Sequence, residues 1–273
     1  MKKIQLDKRN IKGNVERQEL LYHLTRYYFA SGFIKKGDYV LDAASGVGYG
    51  TYLLSQSSLH TSLVGIDIDK KTVEYAKNKF QNYNVLFQHS SLEQFQTKKL
   101  FDIIISFETV EHVNDATEFV RKCHQVLKPG GVLIISSPNK QVMSPHTDKP
   151  LTQFHVKEFT QMEFLSLLEK YFTEIQLYGQ YHDFPHSVLA FRERSAGILK
   201  LLSNDSITRS YLDLFRMVNR IFFKNISVRI DKKLLILFTK HLTHLKMYPK
   251  KITSKTPTRA SLFMLAVCQK KTL

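Results

Sequence analysis

Short apolar runs alternate with stretches in which apolar residues recur every three or four positions along the first 180 residues. The short runs are typical of strands buried on both faces, and the helical spacing is typical of helices that cover a sheet. The alternation predicts an α/β fold with a parallel sheet covered on both sides. The predicted strands lie near 38–43, 62–67, 84–88, 101–107, 131–137 and 173–179, and the predicted helices near 49–57, 70–79, 115–127 and 160–170.

Two local signals refine these bounds. Lys-Pro-Gly-Gly at 128–131 predicts a helix stop and a turn before the fifth strand. Thr160, followed three positions later by Glu163, has the spacing of a capping box at the start of a helix.

The turn after the first strand predicts a ligand site. The strand stops at Asp42, small residues follow as far as Gly50, and a helix begins near Tyr49. Small residues let the backbone approach a ligand, and the start of a helix presents unpaired N–H groups. Gly46 and Gly48 do not continue into the Gly-x-Gly-x-x-Gly spacing of a dinucleotide site. Asp42 would also repel a pyrophosphate, so it suits a cationic or amino-bearing ligand.

The second strand adds a complementary signal. It ends in Asp67, 21 residues after Gly46, where an acid can accept hydrogen bonds from ribose hydroxyls. A ribose contact without a phosphate-binding loop indicates S-adenosylmethionine as the ligand. The alternative is a glycine turn that joins a strand to a helix beside two surface acids.

Four motifs in order then carry a family resemblance: VLDAASGVGYGT at 40–51, LVGIDID at 63–69, FDIIISFETVEHV at 101–113 and LKPGGVLIISSPN at 127–139. With them, residues 20–180 resemble the class I S-adenosylmethionine-dependent methyltransferases. The resemblance implies a doubly wound, seven-stranded, mostly parallel Rossmann-like sheet, closed by an antiparallel strand at 260–268. Ala44 stands where the family commonly has glycine, which we interpret as a minor departure because alanine is only one methyl group larger.

The resemblance also implies residue roles around S-adenosylmethionine. Asp42 would belong to the network around the methionine amino group, and Asp67 would bind the ribose hydroxyls. For Ile68, Leu92 and Phe107, packing in the core is the alternative to direct contact. The full set of implied cofactor residues is Asp42, Ala44, Ser45, Gly46, Gly48, Asp67, Ile68 (adenine), Ser91 and Leu92 (adenine edge), and Phe107 (beneath the methionine part).

His112 is the candidate general base, because it lies just past the fourth strand at the edge where the methyl group should point. Its alternative role is structural, as a histidine that bonds a loop. The spacing Glu108-x-x-Glu111-His112 resembles a metal site of ubiquinone-pathway O-methyltransferases, and such residues could hold a hard divalent ion. Most relatives bind no metal in this segment, so the prediction is that the site contains none.

Two further segments resemble methyltransferases of bacterial glycan gene clusters. One is the loop at 154–160, which contains His155, a second catalytic candidate. The other is a predicted N-terminal helix on which His23, Arg26 and Tyr27 share one face. That face is predicted to cover the cofactor carboxylate and the acceptor, and the alternative is a polar helix surface.

Positive charge is concentrated at the end of the chain. Residues 191–273 contain 18 Lys and Arg against four acids, whereas residues 1–190 contain 22 against 20. We therefore divide the chain into a methyltransferase core (1–179 with 259–273) and a helical, basic cap (180–258) that selects the substrate. The charge suggests an anionic partner, which could be a membrane surface, a phosphorylated substrate or, as a disfavoured option, nucleic acid; the alternative is a solvated surface without a partner.

Composition places limits on the cellular context. The N-terminal residues lack the apolar core of a signal peptide, and the run at 234–238 is too short to span a bilayer. The two cysteines, Cys123 and Cys268, lie in apolar surroundings and are predicted to be free, buried thiols. The prediction is a cytoplasmic protein, with peripheral binding to the inner membrane face as an extension of it.

The leading functional hypothesis is O-methylation of a sugar hydroxyl in a glycan or lipid-linked saccharide. A small-molecule methyltransferase for a quinone-like phenol or an amine is the first alternative. A nucleic-acid-binding protein on a methyltransferase scaffold is the alternative from another class, and it is disfavoured because no DNA-reading or base-methylating motif is present. A non-catalytic relative that binds the cofactor weakly also fits these motifs, and the acceptor and the oligomeric state do not follow from the residues.

Overall fold

The computed structural model describes residues 14–57, 62–80, 83–145, 147–181, 249–252 and 261–272. These residues form one mixed sheet with helices on both faces. The strands are β1 (Tyr39–Ala43), β2 (Ser62–Asp67), β3 (Val85–His89), β4 (Phe101–Ser106), β5 (Leu127–Pro138), β6 (Glu174–Tyr181), β7 (Lys250–Lys251) and β8 (Ser261–Gln269). The helices are α1 (Asn14–Ser31), α2 (Tyr49–Ser57), α3 (Lys70–Phe80), α4 (Ala116–Val126), α5 (Lys140–Met143) and α6 (Gln161–Glu169).

The strand order is β3-β2-β1-β4-β5-β8-β6-β7. Strands β1 to β5 pair in parallel, while β8 lies antiparallel between β5 and β6. Strands β2 and β3 therefore lie on one side of β1, whereas β4 and the strands that follow it lie on the other side. Ligands bind at such a switch point, beside the carboxyl ends of the strands. In this sheet that edge carries Asp42, Asp67 and the residues that follow β4.

Successive strand residues point to opposite faces and create two cores. Leu41 and Ile104 belong to the core beneath α4 and α6, whereas their neighbours Val40 and Ile105 belong to the core beneath α1, α2 and α3. Burial on both faces explains why these strands read as continuous apolar runs in the sequence. Cys123 and Cys268 are buried free thiols, as predicted.

The predicted element positions are largely confirmed, with small differences at their ends. Thr160 and Glu163 form the complete capping box at the start of α6. The helix before Lys-Pro-Gly-Gly does stop, at Val126, but the predicted free turn is wrong because extended backbone resumes at once with Leu127. Gly130, at a φ of 74°, lies where the register between β4 and β5 shifts, so the turn is absorbed into β5 as an irregularity.

The sheet has more strands than the seven predicted. The additional strand, β7, has two residues and pairs with Tyr178 and Gly179 of β6. The predicted cap, 180–258, lies for the most part outside the described residues, and so does most of the basic excess. Of the helices that the structure describes, none is both long enough and apolar enough to cross a membrane.

Candidate active site

The loop between β1 and α2 is fixed to the end of β2. The backbone N–H groups of Ala44 and Ser45 both donate to the carbonyl of Ile66, at 2.9 and 2.8 Å. The Asp67 carboxylate accepts the N–H of Gly46 at 2.9 Å through one oxygen and the N–H of Asp69 at 2.8 Å through the other. Asp67 thus holds the loop in place while its side chain stays at the ligand edge of the sheet.

The three loop glycines have different physical roles. A Cβ atom at Gly46 would meet nothing within 4 Å, so this residue faces open space. A Cβ at Gly48 would lie 2.7 Å from the Phe87 ring, and one at Gly50 would lie 2.0 Å from the Tyr27 ring. Gly46 is therefore the glycine that leaves room for a ligand, whereas Gly48 and Gly50 leave room for neighbouring aromatic rings.

Ala44 adopts a φ of 90°, a backbone conformation that residues other than glycine rarely take. Glycine adopts this backbone conformation more easily than alanine, so the difference between the two residues here is one of backbone strain as well as of size.

Asp42 is completely buried beneath α1. Its carboxylate accepts hydrogen bonds from the Tyr27 hydroxyl at 3.1 Å and from the Thr51 hydroxyl at 2.6 Å. Burial raises the pKa of Asp42 to about 7, although the two hydroxyl donors oppose the shift. Its predicted role near the methionine amino group stays a prediction; in the structure it joins α1 to the cofactor loop.

The predicted adenine contacts fall into two groups. Ile68 is 53% exposed just after β2 and offers an apolar surface at the ligand edge, and Ser91 is half-buried. Leu92 and Phe107 are buried in the two cores, and the Phe107 ring packs edge-on against Tyr27 at 5.0 Å. Both residues contribute to core packing, and their contact with adenine or methionine stays a prediction.

The α1 face is not the polar surface that the sequence left open as an alternative. Arg26 is fully buried, with its guanidinium 4.6 Å from the Phe263 ring centroid. Its Nη1 donates to Gln180 at 3.1 Å and to Glu108 at 3.3 Å. Burial, followed by the charge of Arg26, lowers the pKa of His23 well below its usual range. This face closes over the ends of β4 and β6 through buried contacts.

Glu108 is held tightly just after β4. Its φ is 52°, another left-handed backbone angle in a residue that is not glycine. Its N–H donates to the Ser136 hydroxyl at 3.1 Å, and that hydroxyl donates back to the Glu108 carboxylate at 2.9 Å. Arg26 donates to the same oxygen, so Oε1 of Glu108 is occupied by two protein contacts.

The two catalytic candidates come together at the same edge. His112 and His155 pack edge-on with ring centroids 4.9 Å apart, although 42 residues separate them in the sequence. His112 Nδ1 lies 2.9 Å from the carbonyl of Phe154, and His155 Nδ1 lies 2.7 Å from the carboxylate of Glu158. Burial lowers the pKa of His112, so its imidazole is neutral near pH 7.

Glu111 completes this cluster. It is fully buried, and Oε1 lies 3.8 Å from His112 Nε2. Neither carboxylate oxygen has a hydrogen-bond partner among the described residues. Burial and the nearby Glu108 carboxylate raise the pKa of Glu111 well above its usual range.

Sequence reasoning did not identify several residues that build the site. Gln180 bonds Arg26 across 154 residues, Ser136 bonds Glu108, and Glu158 orients His155. No spacing in the sequence links the first two of these pairs. Only Glu158 carried a usable signal, because it lies three residues after His155 in the segment already identified.

Comparison with known proteins finds methyltransferases. The methyltransferase domain family matches residues 41–135. A probable S-adenosylmethionine-dependent methyltransferase of Mycolicibacterium smegmatis is 34% identical over 131 residues, which are 48% of this chain and 49% of that protein. A ubiquinone biosynthesis O-methyltransferase of Pelagibacter ubique is 38% identical over 102 residues, 36% of this chain and 42% of that protein.

Structural comparison agrees on the fold. A methyltransferase structure from Thermotoga maritima covers 97% of both chains, with a TM-score of 0.55 and 14% identity. The chain spans about half the length of the curated relatives it matches. Taken together, these comparisons show a methyltransferase domain over residues 41–135 of this chain, within a fold shared with S-adenosylmethionine-dependent methyltransferases.

Proposed function

We propose that the chain transfers the methyl group of S-adenosylmethionine to a hydroxyl oxygen of a sugar, in a glycan or a lipid-linked saccharide. The observation that carries this proposal is the pair of imidazoles, His112 and His155, beside the end of β4. The matched methyltransferase domain supports methyl transfer, and the O-methyltransferase relative supports oxygen as the atom that accepts it. The sugar itself rests on the sequence segments that contain His23 and His155.

The residues of the loop fit the cofactor. Each Asp67 oxygen accepts one backbone N–H, and a carboxylate has about four acceptor sites, so sites remain for two ribose hydroxyls. Gly46 leaves open space beside it, and the exposed Ile68 side chain offers adenine an apolar surface. Bound S-adenosylmethionine supplies a methyl group on a positively charged sulfur.

A hydroxyl acceptor must lose its proton as its oxygen attacks, in line with the methyl carbon and the sulfur. His112 meets the requirement for a proton acceptor at this edge. Its Nδ1 must donate to the Phe154 carbonyl, so a neutral His112 keeps its lone pair on Nε2. A positioned base contributes about 10²–10⁴-fold to rate in enzymes generally.

Acceptor class is tested by supplying labelled methyl donor together with separated acceptors. The panel contains cell-envelope glycan, lipid-linked saccharide, a catechol, a primary amine and RNA. Label on a saccharide oxygen supports the proposal, and label only on the amine or RNA contradicts O-methylation. Mass analysis of the labelled product then identifies the oxygen.

A phenolic small molecule is the second candidate acceptor, favoured by the relatives named ubiquinone biosynthesis O-methyltransferases. Because a phenol ionises far more easily than a sugar alcohol, loss of His112 should slow methylation of a phenol less than methylation of a sugar.

His112→Gln is expected to lower kcat by about 10²–10⁴-fold on a saccharide while cofactor affinity is unchanged. His124→Gln, remote from this edge, is the control. Equal turnover of the His112→Gln variant and the wild type would refute the role of His112.

The basic segment, 191–273, is the proposed contact for a phosphorylated or membrane-bound acceptor. The positive charge of this segment attracts anions, which supports the proposed contact. Added salt screens that attraction. Turnover of an anionic lipid-linked saccharide should therefore fall between 50 and 500 mM salt, whereas turnover of a neutral soluble analogue should not. The same salt dependence for both acceptors would contradict the proposal.

A further inference from the structure

Four ionisable side chains meet where the segment after β4 packs against the loop that precedes α6. The backbone joins the two segments, because the N–H groups of Val156 and Lys157 donate to the Glu111 carbonyl at 2.7 and 3.2 Å. Glu111 and His112 come from the first segment, and His155 and Glu158 from the second. The ligand atoms of Glu111, His112 and His155 all lie within 4.8 Å of one another.

Both imidazoles are oriented by a bond at Nδ1. A carbonyl can only accept, so His112 donates from Nδ1 to Phe154, and His155 Nδ1 likewise donates to the Glu158 carboxylate. With Nδ1 bonded in this way, Nε2 is the nitrogen of each ring that is placed to ligate an ion. A histidine that ligates a metal through one nitrogen while the other donates to a carboxylate or carbonyl is the usual arrangement in metal sites.

Buried carboxyl oxygens at this position lack hydrogen-bond partners within the described residues. Both Glu111 oxygens and one Glu158 oxygen are buried without a hydrogen-bond partner in the described part of the chain. Buried carboxyl groups in proteins are hydrogen-bonded or coordinate metals, so these oxygens are candidate metal ligands.

We propose that Glu111, His112 and His155 bind one divalent transition-metal ion of borderline softness, such as Zn²⁺, Fe²⁺ or Co²⁺. Two imidazoles and one carboxylate with open positions are the donor set of catalytic sites for these ions. The separation of 3.8 Å between Glu111 Oε1 and His112 Nε2 is near the roughly 3.4 Å of tetrahedral ligands at about 2.1 Å from an ion. The ion would draw His155 inward, and Glu158 would serve as its outer hydrogen-bond partner.

This set differs from the one that sequence spacing indicates. Glu108-x-x-Glu111-His112 would use two carboxylates and one imidazole, which favours a hard ion such as Mg²⁺. In the structure Glu108 Oε1 accepts from Arg26 and Ser136, and the ligand atoms that cluster are those of Glu111, His112 and His155, the last from a distant loop. A carboxylate oxygen of Glu108 is thus replaced by an imidazole nitrogen of His155 in the donor set. This replacement changes the expected metal from a hard ion to one of borderline softness.

An ion at this position would have open coordination sites on the acceptor side. A hydroxyl bound there would release its proton to solvent water at lower pH than a free hydroxyl does, and His112 would then serve as a ligand of the ion and not as a free base. Metal binding rests on the geometry of the cluster and not on the proposed acceptor, so each can fail without the other.

Cobalt binding to the purified full-length chain tests the proposal. The protein is stripped with a chelator and titrated with Co²⁺, and visible absorption reports coordination by nitrogen and carboxylate. We expect one saturable site, with Mg²⁺ unable to compete at equal concentration. Glu158→Gln should weaken Co²⁺ binding about 10–100-fold as an outer partner, and His155→Ala should weaken it more.

Two matched variants make the result decisive. His124→Gln removes a histidine outside the cluster and should keep wild-type affinity, and Glu108→Gln should retain the site. His155→Gln, with a larger side chain, replaces His155→Ala if circular dichroism shows that the alanine variant is unfolded. The proposal is overturned if the folded wild type shows no saturable Co²⁺ site, or if His155 variants bind normally. It is also overturned if Glu108→Gln abolishes binding while His155 variants retain it.

Discussion

Replacing Asp42 with asparagine measures what its buried carboxylate costs the native state. The unfolded chain ionises this group near its ordinary pKa of 3.8, whereas the native protein holds its proton until about pH 7. Between these values only the unfolded state loses the proton, so the free energy of unfolding falls as pH rises. Above about pH 7 both states are ionised and the cost is constant.

The size of the effect follows from the two pKa values. At 1.36 kcal/mol per pH unit, ionisation costs the native state about 1.6 kcal/mol at pH 5 and about 4 kcal/mol at pH 8. Asparagine has the same shape, cannot ionise, and can still bond the hydroxyls of Tyr27 and Thr51. The Asp42→Asn variant should therefore be more stable than wild type, by an amount that grows with pH.

Urea unfolding of both proteins at pH 4, 5 and 8, without added cofactor, measures this difference. Asp102→Asn is the control with the opposite sign. Burial would raise the pKa of Asp102, but hydrogen bonds from Lys128 and the Tyr39 N–H outweigh that effect and lower it. The ionised Asp102 carboxylate therefore stabilises the native state above pH 3.8, and this stabilisation is lost in acid. Asp102→Asn should thus destabilise the protein at pH 5 and 8. A difference between Asp42→Asn and wild type that does not change with pH would refute the reasoning.

Three further substitutions test the cofactor loop. Ala44→Gly should raise the free energy of unfolding by about 0.5–1 kcal/mol, because relief of the left-handed backbone exceeds the entropy that glycine loses; a urea curve that does not shift contradicts this. Gly50→Ala should lower it by about 1–3 kcal/mol, since the new Cβ would overlap the Tyr27 ring, and the added change Tyr27→Leu should recover part of the loss in the same assay. Asp67→Ala should abolish S-adenosylmethionine binding by calorimetry, and unchanged affinity would remove the ribose assignment.

The sequence predicted the strands and helices well where burial decides them. The residues of β2 and α2 follow the apolar pattern directly, because strands covered on both faces have few polar positions. The short elements α5 and β7 carry too few residues for a periodic signal and were not predicted. The shift in β5 depends on a pairing with β4, which no local pattern reports.

The candidate site was predicted residue by residue but not as a set of contacts. His112 and His155 were both identified, yet their contact depends on how a loop folds back onto the end of β4. The burial of Arg26 likewise requires Glu108 and Gln180, which are 82 and 154 residues away. Motifs indicate the chemistry that a side chain can perform, whereas tertiary packing decides which residues that side chain contacts.

The pairing of β6 with β7 has a consequence for how the length of this chain can vary. Tyr181 ends β6 and Lys250 begins β7 opposite Gly179, so the two residues that flank the intervening segment lie close together on one strand pair. Closing a loop between adjacent ends depends only weakly on its length. Evolution, or a protein engineer, could therefore exchange the intervening residues for a shorter or unrelated module without altering the sheet that binds the methyl donor.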